Sequence, residues 1–236
     1  MNAEQAEKLR KHVIVALDLD TMDDALQLVD RLFPTVDKFK VGSRMFTAFG
    51  PALLDAIAKR GASVFLDLKF HDIPSVVQAA CASAAQHPSV FLMTIHALGG
   101  PRMIAQASEG AGQTGSAKVI AVTALTSHSG TDVHALGVRD SLEDWVERLA
   151  VMATEAGAHG LVCSPHELER LKPIVPQNCI FVTPGIRTTD AAADDQTRVM
   201  TAAQAIERGS TYLVIGRPVY GAADPVHALE AIGATL

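Results

Sequence analysis

The stretch Ser63-Val64-Phe65-Leu66-Asp67-Leu68-Lys69-Phe70-His71-Asp72 starts as an apolar, β-branched run and ends in charge. A short apolar run of this kind reads as a buried strand, here over residues 63–68. On a strand, positions 67 and 69 point to the same side. Asp67 and Lys69 are therefore expected side by side at the strand's C-terminal end, with Leu68 facing the other way. The pattern after it, residues 73–86, carries helix-period apolar positions.

The same strand-then-helix unit recurs along the whole chain. Strands are expected at 12–17, 38–41, 63–68, 90–95, 118–124, 160–163, 180–183 and 212–215. Helices are expected at 23–32, 51–60, 73–86, 101–109, 142–156, 165–171, 202–207 and 225–232. Pro51, Pro101, Pro165 and Pro225 suit first helical turns, and Gly61 and Gly209 suit helix ends. Eight such units in 236 residues fit an α/β fold, the (β/α)8 TIM barrel. The rival is a doubly wound open sheet, which should show G-x-G-x-x-G after its first strand. Leu17-Asp18-Leu19-Asp20 stands there instead. No Pro-, Gly- or Ser-rich linker divides the chain, so residues 1–236 read as one domain, with a short polar lead-in helix at 1–11.

Composition narrows the function classes. Apolar residues at 48% can build a large core, and the chain is not disordered. A net charge of −6 argues against nonspecific binding to nucleic acid or an anionic membrane surface. At 5% aromatic residues, a stacking platform for single strands is not expected. No apolar run is long enough to span a bilayer. Residues 1–11 contain Glu4 and Glu7 and lack the apolar stretch of a secretory signal. Cys81, Cys163 and Cys179 form no CxxC pair, which fits a reducing cytoplasm and no zinc site.

In a barrel the chemistry sits where strands end. Asp18 ends the first strand and Lys40 the second; Asp67 and Lys69 end the third, with Asp72 just beyond. His96 ends the fourth, Thr123, Thr126 and Ser127 follow the fifth, and Ser164 follows the sixth. Pro184-Gly185-Ile186-Arg187 follows the seventh and Gly216-Arg217 the eighth. One such residue could be a solvated strand end; their common placement points to a site. Lys and Asp alternating in one mouth keep each other charged, and an ammonium there can deliver a proton. Gly216-Arg217, with Arg187, fits the phosphate site that barrels build after strands seven and eight. Two long loops, 127–140 and 186–200, read as binding loops or lids. The nine histidines show no H-E-x-x-H spacing, so His71 and His96 are expected as hydrogen-bonded structural residues rather than metal ligands.

These motifs, in this order, resemble the orotidine 5′-phosphate decarboxylase family in its short bacterial form. The resemblance rests on Ala16-Leu17-Asp18, Lys40-Val41-Gly42, Asp67 through Pro74, Leu125-Thr126-Ser127, Thr183 through Arg187, Asp195-Gln196 and Ile215-Gly216-Arg217-Pro218. It implies that OMP is decarboxylated to UMP without a cofactor or metal. It implies that Lys69 donates the proton to the carbon that loses CO2, beside Asp67. Lys40 and Asp18 would bind the ribose, Thr126 and Ser127 the base, and Gln196 both base and phosphate. Arg187, Gly216 and Arg217 would bind the phosphate. Asp72 would be shared across a homodimer interface. The family usually has Thr where this chain has Val76, which removes one expected ribose contact across that interface. Two readings compete. A phosphosugar barrel enzyme, such as a keto-gulonate-phosphate decarboxylase or hexulose-phosphate synthase, shares D-x-K-x-x-D but needs Mg²⁺. A noncatalytic nucleotide-binding relative should have lost Asp67 or Lys69, and both are present.

Overall fold

The computed structural model describes residues 1–186 and 200–236. The polar lead-in is α1 (Ala3–His12), opened by a capping box between Asn2 and Gln5 and anchored by buried Leu9. It takes in His12, so β1 runs only Val13–Ala16. Leu17 still donates its N–H to the Lys40 carbonyl at 3.0 Å, which carries the pairing past the strand's end. Then come α2 (Met22–Leu32), β2 (Lys38–Gly42), α3 (Ser43–Phe49), α4 (Pro51–Ala58), β3 (Ser63–Phe70), α5 (Pro74–Ala85) and β4 (Val90–His96). A 3-10 turn at Ala97–Gly99 leads into α6 (Gly100–Thr114), β5 (Lys118–Val122), α7 (Gly130–Ala135), α8 (Leu142–Glu155) and β6 (Gly160–Val162). The remainder is α9 (Leu168–Leu171), β7 (Ile180–Pro184), α10 (Ala202–Glu207), β8 (Tyr212–Ile215), α11 (Arg217–Tyr220) and α12 (Pro225–Gly233).

The eight strands form a closed parallel barrel in sequence order, β1 pairing β8 through Val13 opposite Leu213. The open-sheet alternative is thereby excluded. Alternation along each strand builds two apolar layers. Ile14, Phe65, Leu92, Ile120, Val182 and Val214 point inward and fill the barrel. Val13, Val15, Val64, Leu66, Met93 and Leu213 point outward and join the helices in the larger core. Gly160 is the tight spot: a Cβ there would lie 2.1 Å from the Ile180 carbonyl oxygen of the next strand.

Three short helices fall outside the expected pattern. The expected loop 127–140 contains α7, whose capping box joins Ser129 and Asp132. Helix α3 follows Gly42 directly, and α11 follows Gly216. Strands β3 and β4 run further than expected, to Phe70 and His96, and β5 stops sooner, at Val122. The expected loop 186–200 lies largely outside the described residues; at its ends Ile186 and Met200 form a parallel bridge.

Candidate active site

On β3 the inner apolar layer stops at Phe65, short of the strand's end at Phe70. Above Phe65 on β3, the next inward position is Asp67, then Lys69. The second inward side chain here is delivered by more than simple alternation. Leu66 lies opposite Met93 and Phe70 opposite Ile95, so β3 carries extra residues against β4. This is a bulge, and bulges re-aim side chains near active sites. Lys69 takes φ 51°, the left-handed region, and is the one non-glycine residue to do so among those described. Such a backbone costs about 1–3 kcal/mol and persists only when its surroundings hold it.

The charged groups form one chain. Lys69 Nζ donates to Asp67 Oδ1 at 2.9 Å. Lys40 Nζ lies 3.6 Å from Asp67 Oδ2 and 3.4 Å from Asp18 Oδ1. The Asp67 carboxylate is 14% exposed and the Lys40 side chain 12%. Removing one partner from a pair this buried leaves an uncompensated charge, typically at about 3–5 kcal/mol. Glycine at position 42 makes room for the arrangement. A Cβ there would lie 2.9 Å from Lys40 Nζ and 3.4 Å from Asp18 Oδ1.

A cavity of about 170 Å³ opens above the inner layer, lined by Lys40, Asp67, Lys69, Leu125, Thr126 and Pro184 among others. Ligand pockets usually run to about 300–1,000 Å³, so this space suits one end of a larger molecule. A wider groove of about 710 Å³ lies on the outer helices near Pro101, Met152 and Ile174. It is shallow, and its Asp144 and Glu147 are already paired with Arg170. The mouth, where paired charges meet an apolar floor, is the better candidate.

The sequence-predicted residues separate into four groups. Asp18, Lys40, Asp67 and Lys69 meet in the ion chain, and Thr126 lines the same cavity. Gly216 caps α11 next to β1, where a Cβ would approach Ala16 and Tyr220, and exposed Arg217 opens that helix. Asp72 and Ser127 do not join the chain. Asp72 is exposed and accepts the Ile73 N–H at 2.6 Å, without an ion pair among the described residues. Within this chain it is therefore not among the groups that hold Lys69. Ser127 is exposed on the turn after β5. Arg187 and Gln196 lie outside the described residues.

His71 and His96 stack with ring centroids 5.6 Å apart. His96 Nδ1 accepts the Leu98 N–H at 3.3 Å. Burial pushes its pKa from 6.5 down to about 4, with repulsion from His71, Lys69 and His128 adding to it. Among the described residues, no three His, Cys, Asp or Glu side chains are grouped to hold a metal ion. No helix among them is long and apolar enough to cross a membrane.

Two residues were not anticipated. Thr94, fully buried on β4, accepts the Lys69 N–H at 2.8 Å and donates to Asp67 Oδ1 at 3.0 Å. Its signal was a polar residue two positions after inward-facing Leu92. Arg44 donates to the Asp18 carbonyl at 3.0 Å and pairs with Asp20, which fixes the turn after β1.

Known proteins are similar to this chain across nearly their whole length. A protein of Saccharophagus degradans named orotidine 5′-phosphate decarboxylase is 45% identical over 225 residues, covering 95% of this chain and 94% of that one. One of Shewanella sediminis with the same name is 47% identical over 228 residues, 96% of this chain and 97% of that one. The crystal structure of orotidine 5′-phosphate decarboxylase from Lactobacillus acidophilus superposes with a TM-score of 0.83 at 36% identity, covering 95% of this chain and 98% of that one. A family model described as orotidine 5′-phosphate decarboxylase / HUMPS matches residues 11–232, and the chain belongs to that family.

Proposed function

We propose that this chain, one barrel domain over residues 1–236, decarboxylates OMP to UMP in pyrimidine biosynthesis, with Lys69 protonating C6 and no cofactor taking part. The observation that carries the reading is the chain Asp18–Lys40–Asp67–Lys69 at the mouth, above an apolar floor. Loss of CO2 leaves an electron pair on a ring carbon with no adjacent carbonyl to accept it. The protein must then stabilise that charge by fixed electrostatics. Lys69 supplies a cation near the carbon and afterwards a proton, and its bond to Asp67 keeps the ammonium in place.

A metal-dependent enediolate route suits the site less well. The carboxylates of Asp18 and Asp67 already share the Lys40 ammonium, which occupies the space a divalent ion would need. The high identity to relatives named orotidine 5′-phosphate decarboxylase favours the pyrimidine substrate over a phosphosugar. In this reading Thr126 and Ser127 meet the base. Arg187, Gln196, Gly216 and Arg217 hold the phosphate, whose binding energy orders the charged chain around the reacting carbon.

The functional unit is proposed to be a homodimer that shares Asp72. Ile73, Val76 and Leu98 are 63%, 47% and 43% exposed, an apolar patch beside Asp72 and the His71–His96 stack. Covering that patch with a second copy would bring Asp72 to the neighbouring mouth, and a two-fold axis would do so for both sites. Val76 then contributes apolar contact in place of a ribose hydrogen bond, a loss of about 0.5–1.5 kcal/mol.

The test is an ultraviolet assay of OMP loss on protein treated with EDTA. Full turnover is expected. No turnover of OMP with or without Mg²⁺, together with turnover of a phosphosugar, would replace this reading with the metal-dependent one.

A further inference from the structure

We propose that Thr94 is a positioning residue for this reaction: its hydroxyl locks the Asp67 carboxylate and the strained backbone of Lys69 into one arrangement. The inference rests on the decarboxylase reading above and goes beyond it to a fully buried residue outside the cavity lining named above.

The bulge in β3 creates the need. Between Leu66 and Phe70 the strand leaves its register with β4, so the Lys69 N–H loses the regular ladder partner that a parallel pair would give it. A half-buried N–H without a partner is costly. Thr94 Oγ1 fills that role at 2.8 Å, from the neighbouring strand. The same oxygen then has its own proton to place, and it donates to Asp67 Oδ1 at 3.0 Å. That carboxylate oxygen also accepts from Lys69 Nζ at 2.9 Å. The hydroxyl therefore closes a ring that runs from the Lys69 backbone through Asp67 to the Lys69 ammonium.

Two consequences follow for the chemistry. The bond to Oδ1 sets the rotation of the carboxylate, so that Oδ1 serves Lys69 while Oδ2 faces Lys40 at 3.6 Å. The bond from the Lys69 N–H supports φ 51°, which sets where the lysine side chain leaves the strand. Thr94 has no exposed surface, so the hydroxyl has no competing water. Valine has the same shape but can make neither bond. Serine keeps the hydroxyl and loses only a methyl group.

The test compares Thr94→Val with Thr94→Ser. Thermal unfolding first establishes that each is folded, and UMP binding is measured by calorimetry. Thr94→Val is expected to lower kcat about thirtyfold, equal to about 2 kcal/mol of barrier, while its Kd for UMP stays within about threefold of wild type, the ratio that distinguishes misplacement at the reacting centre from lost binding. Thr94→Ser is expected to recover kcat to within a few-fold of wild type. If Thr94→Val does not fold, Thr94→Ala takes its place in the same comparison. A folded Val or Ala variant with kcat within twofold of wild type overturns the proposal, as does a Ser variant as slow as Val. Wild-type protein inactive on OMP would instead overturn the decarboxylase reading, before any variant is compared.

Discussion

Gly42→Ala separates the needs of the site from those of the fold. Gly42 lies at the end of β2 with φ −91° and ψ 178°, an extended backbone that alanine adopts without strain. Within 4 Å, a Cβ there would meet Lys40 Nζ at 2.9 Å and Asp18 Oδ1 at 3.4 Å. The ammonium ends a flexible side chain, so it moves away by about half an ångström and the backbone stays. At an effective dielectric of about 20, lengthening the 3.4 Å and 3.6 Å contacts by about 0.5 Å removes about 0.6 kcal/mol from each. The unfolded chain loses entropy through the same substitution, which returns about 0.4–1 kcal/mol to the folded state. Stability should therefore hardly change, with Tm within about 3 °C of wild type. Catalysis should respond much more, because a small misplacement of a reacting constellation costs up to about a hundredfold per ångström. We expect kcat/KM on OMP to fall about tenfold, read from the ultraviolet assay beside a thermal melt. An unchanged kcat/KM would refute the claim that Lys40 is held in one working position. A large drop in Tm would show that Gly42 serves the barrel rather than the site.

Lys69→Arg keeps the charge but replaces a compact donor with a planar fork; it should fold, bind UMP and lose most turnover, with Lys69→Ala at least as inactive. Wild-type product made in D2O should carry deuterium at C6, and near-normal turnover by a folded Lys69→Ala would remove Lys69 from the mechanism. Mixing Lys69→Ala with Asp72→Ala subunits should restore activity, since each heterodimer would hold one site with both lesions and one with neither; no recovery after verified subunit exchange would contradict the shared site. His96 is held down at about 4 against 6.5 in the unfolded chain, so its contribution to stability is fully present above pH 6.5 and is lost as pH falls to about 4. Screened as this half-buried ring is, the loss is about 1–2 kcal/mol. Between pH 7 and pH 4 the wild type should therefore lose about 4 °C more in Tm than His96→Gln; equal losses would mean that the ring titrates normally.

Much of this site could be read before any coordinates. The recurrence of strand and helix implied the barrel, and the barrel implied that Asp18, Lys40, Asp67 and Lys69 would converge. Period-two alternation put Asp67 and Lys69 on one side, which the 2.9 Å bond bears out. What alternation could not express is register. The bulge depends on how β3 lies against β4, and neither strand announces it alone. Thr94 was hidden for the same reason, as its meaning comes from the strand beside it. Helix α7 was missed because six residues carry too little periodicity, although Ser129 and Asp132 had the spacing of a cap. Asp72 is exposed in this chain and, among the described residues, bonds the neighbouring Ile73 N–H, which says nothing of a role at the mouth.

The strained lysine and its partly buried carboxylate are tolerable because the barrel beneath them is closed. In an open sheet, a bulge that breaks the ladder near a strand end would fray, since an edge offers its unpaired groups to water. Here β3 is held on both sides, by β2 from Lys38 opposite Ser63 to Gly42 opposite Asp67, and by β4 on either side of the bulge. The inner layer of Ile14, Phe65, Leu92, Ile120, Val182 and Val214 is a floor that cannot sink to meet the charges. Asp67 therefore cannot relax toward solvent below, and its two oxygens are left to the two ammoniums and the Thr94 hydroxyl. The unperturbed part of β3 supplies the rigidity, and its last residues supply the chemistry. A substitution that enlarges the floor, such as Phe65→Ala, should then act on both at once: about 3–5 kcal/mol of stability from the cavity, and a loss of turnover that Lys69 and Asp67, both still present, cannot prevent. Thermal melts and the ultraviolet assay on that one variant would show it, and a destabilised but fully active Phe65→Ala would mean that the charges hold their own geometry without the floor.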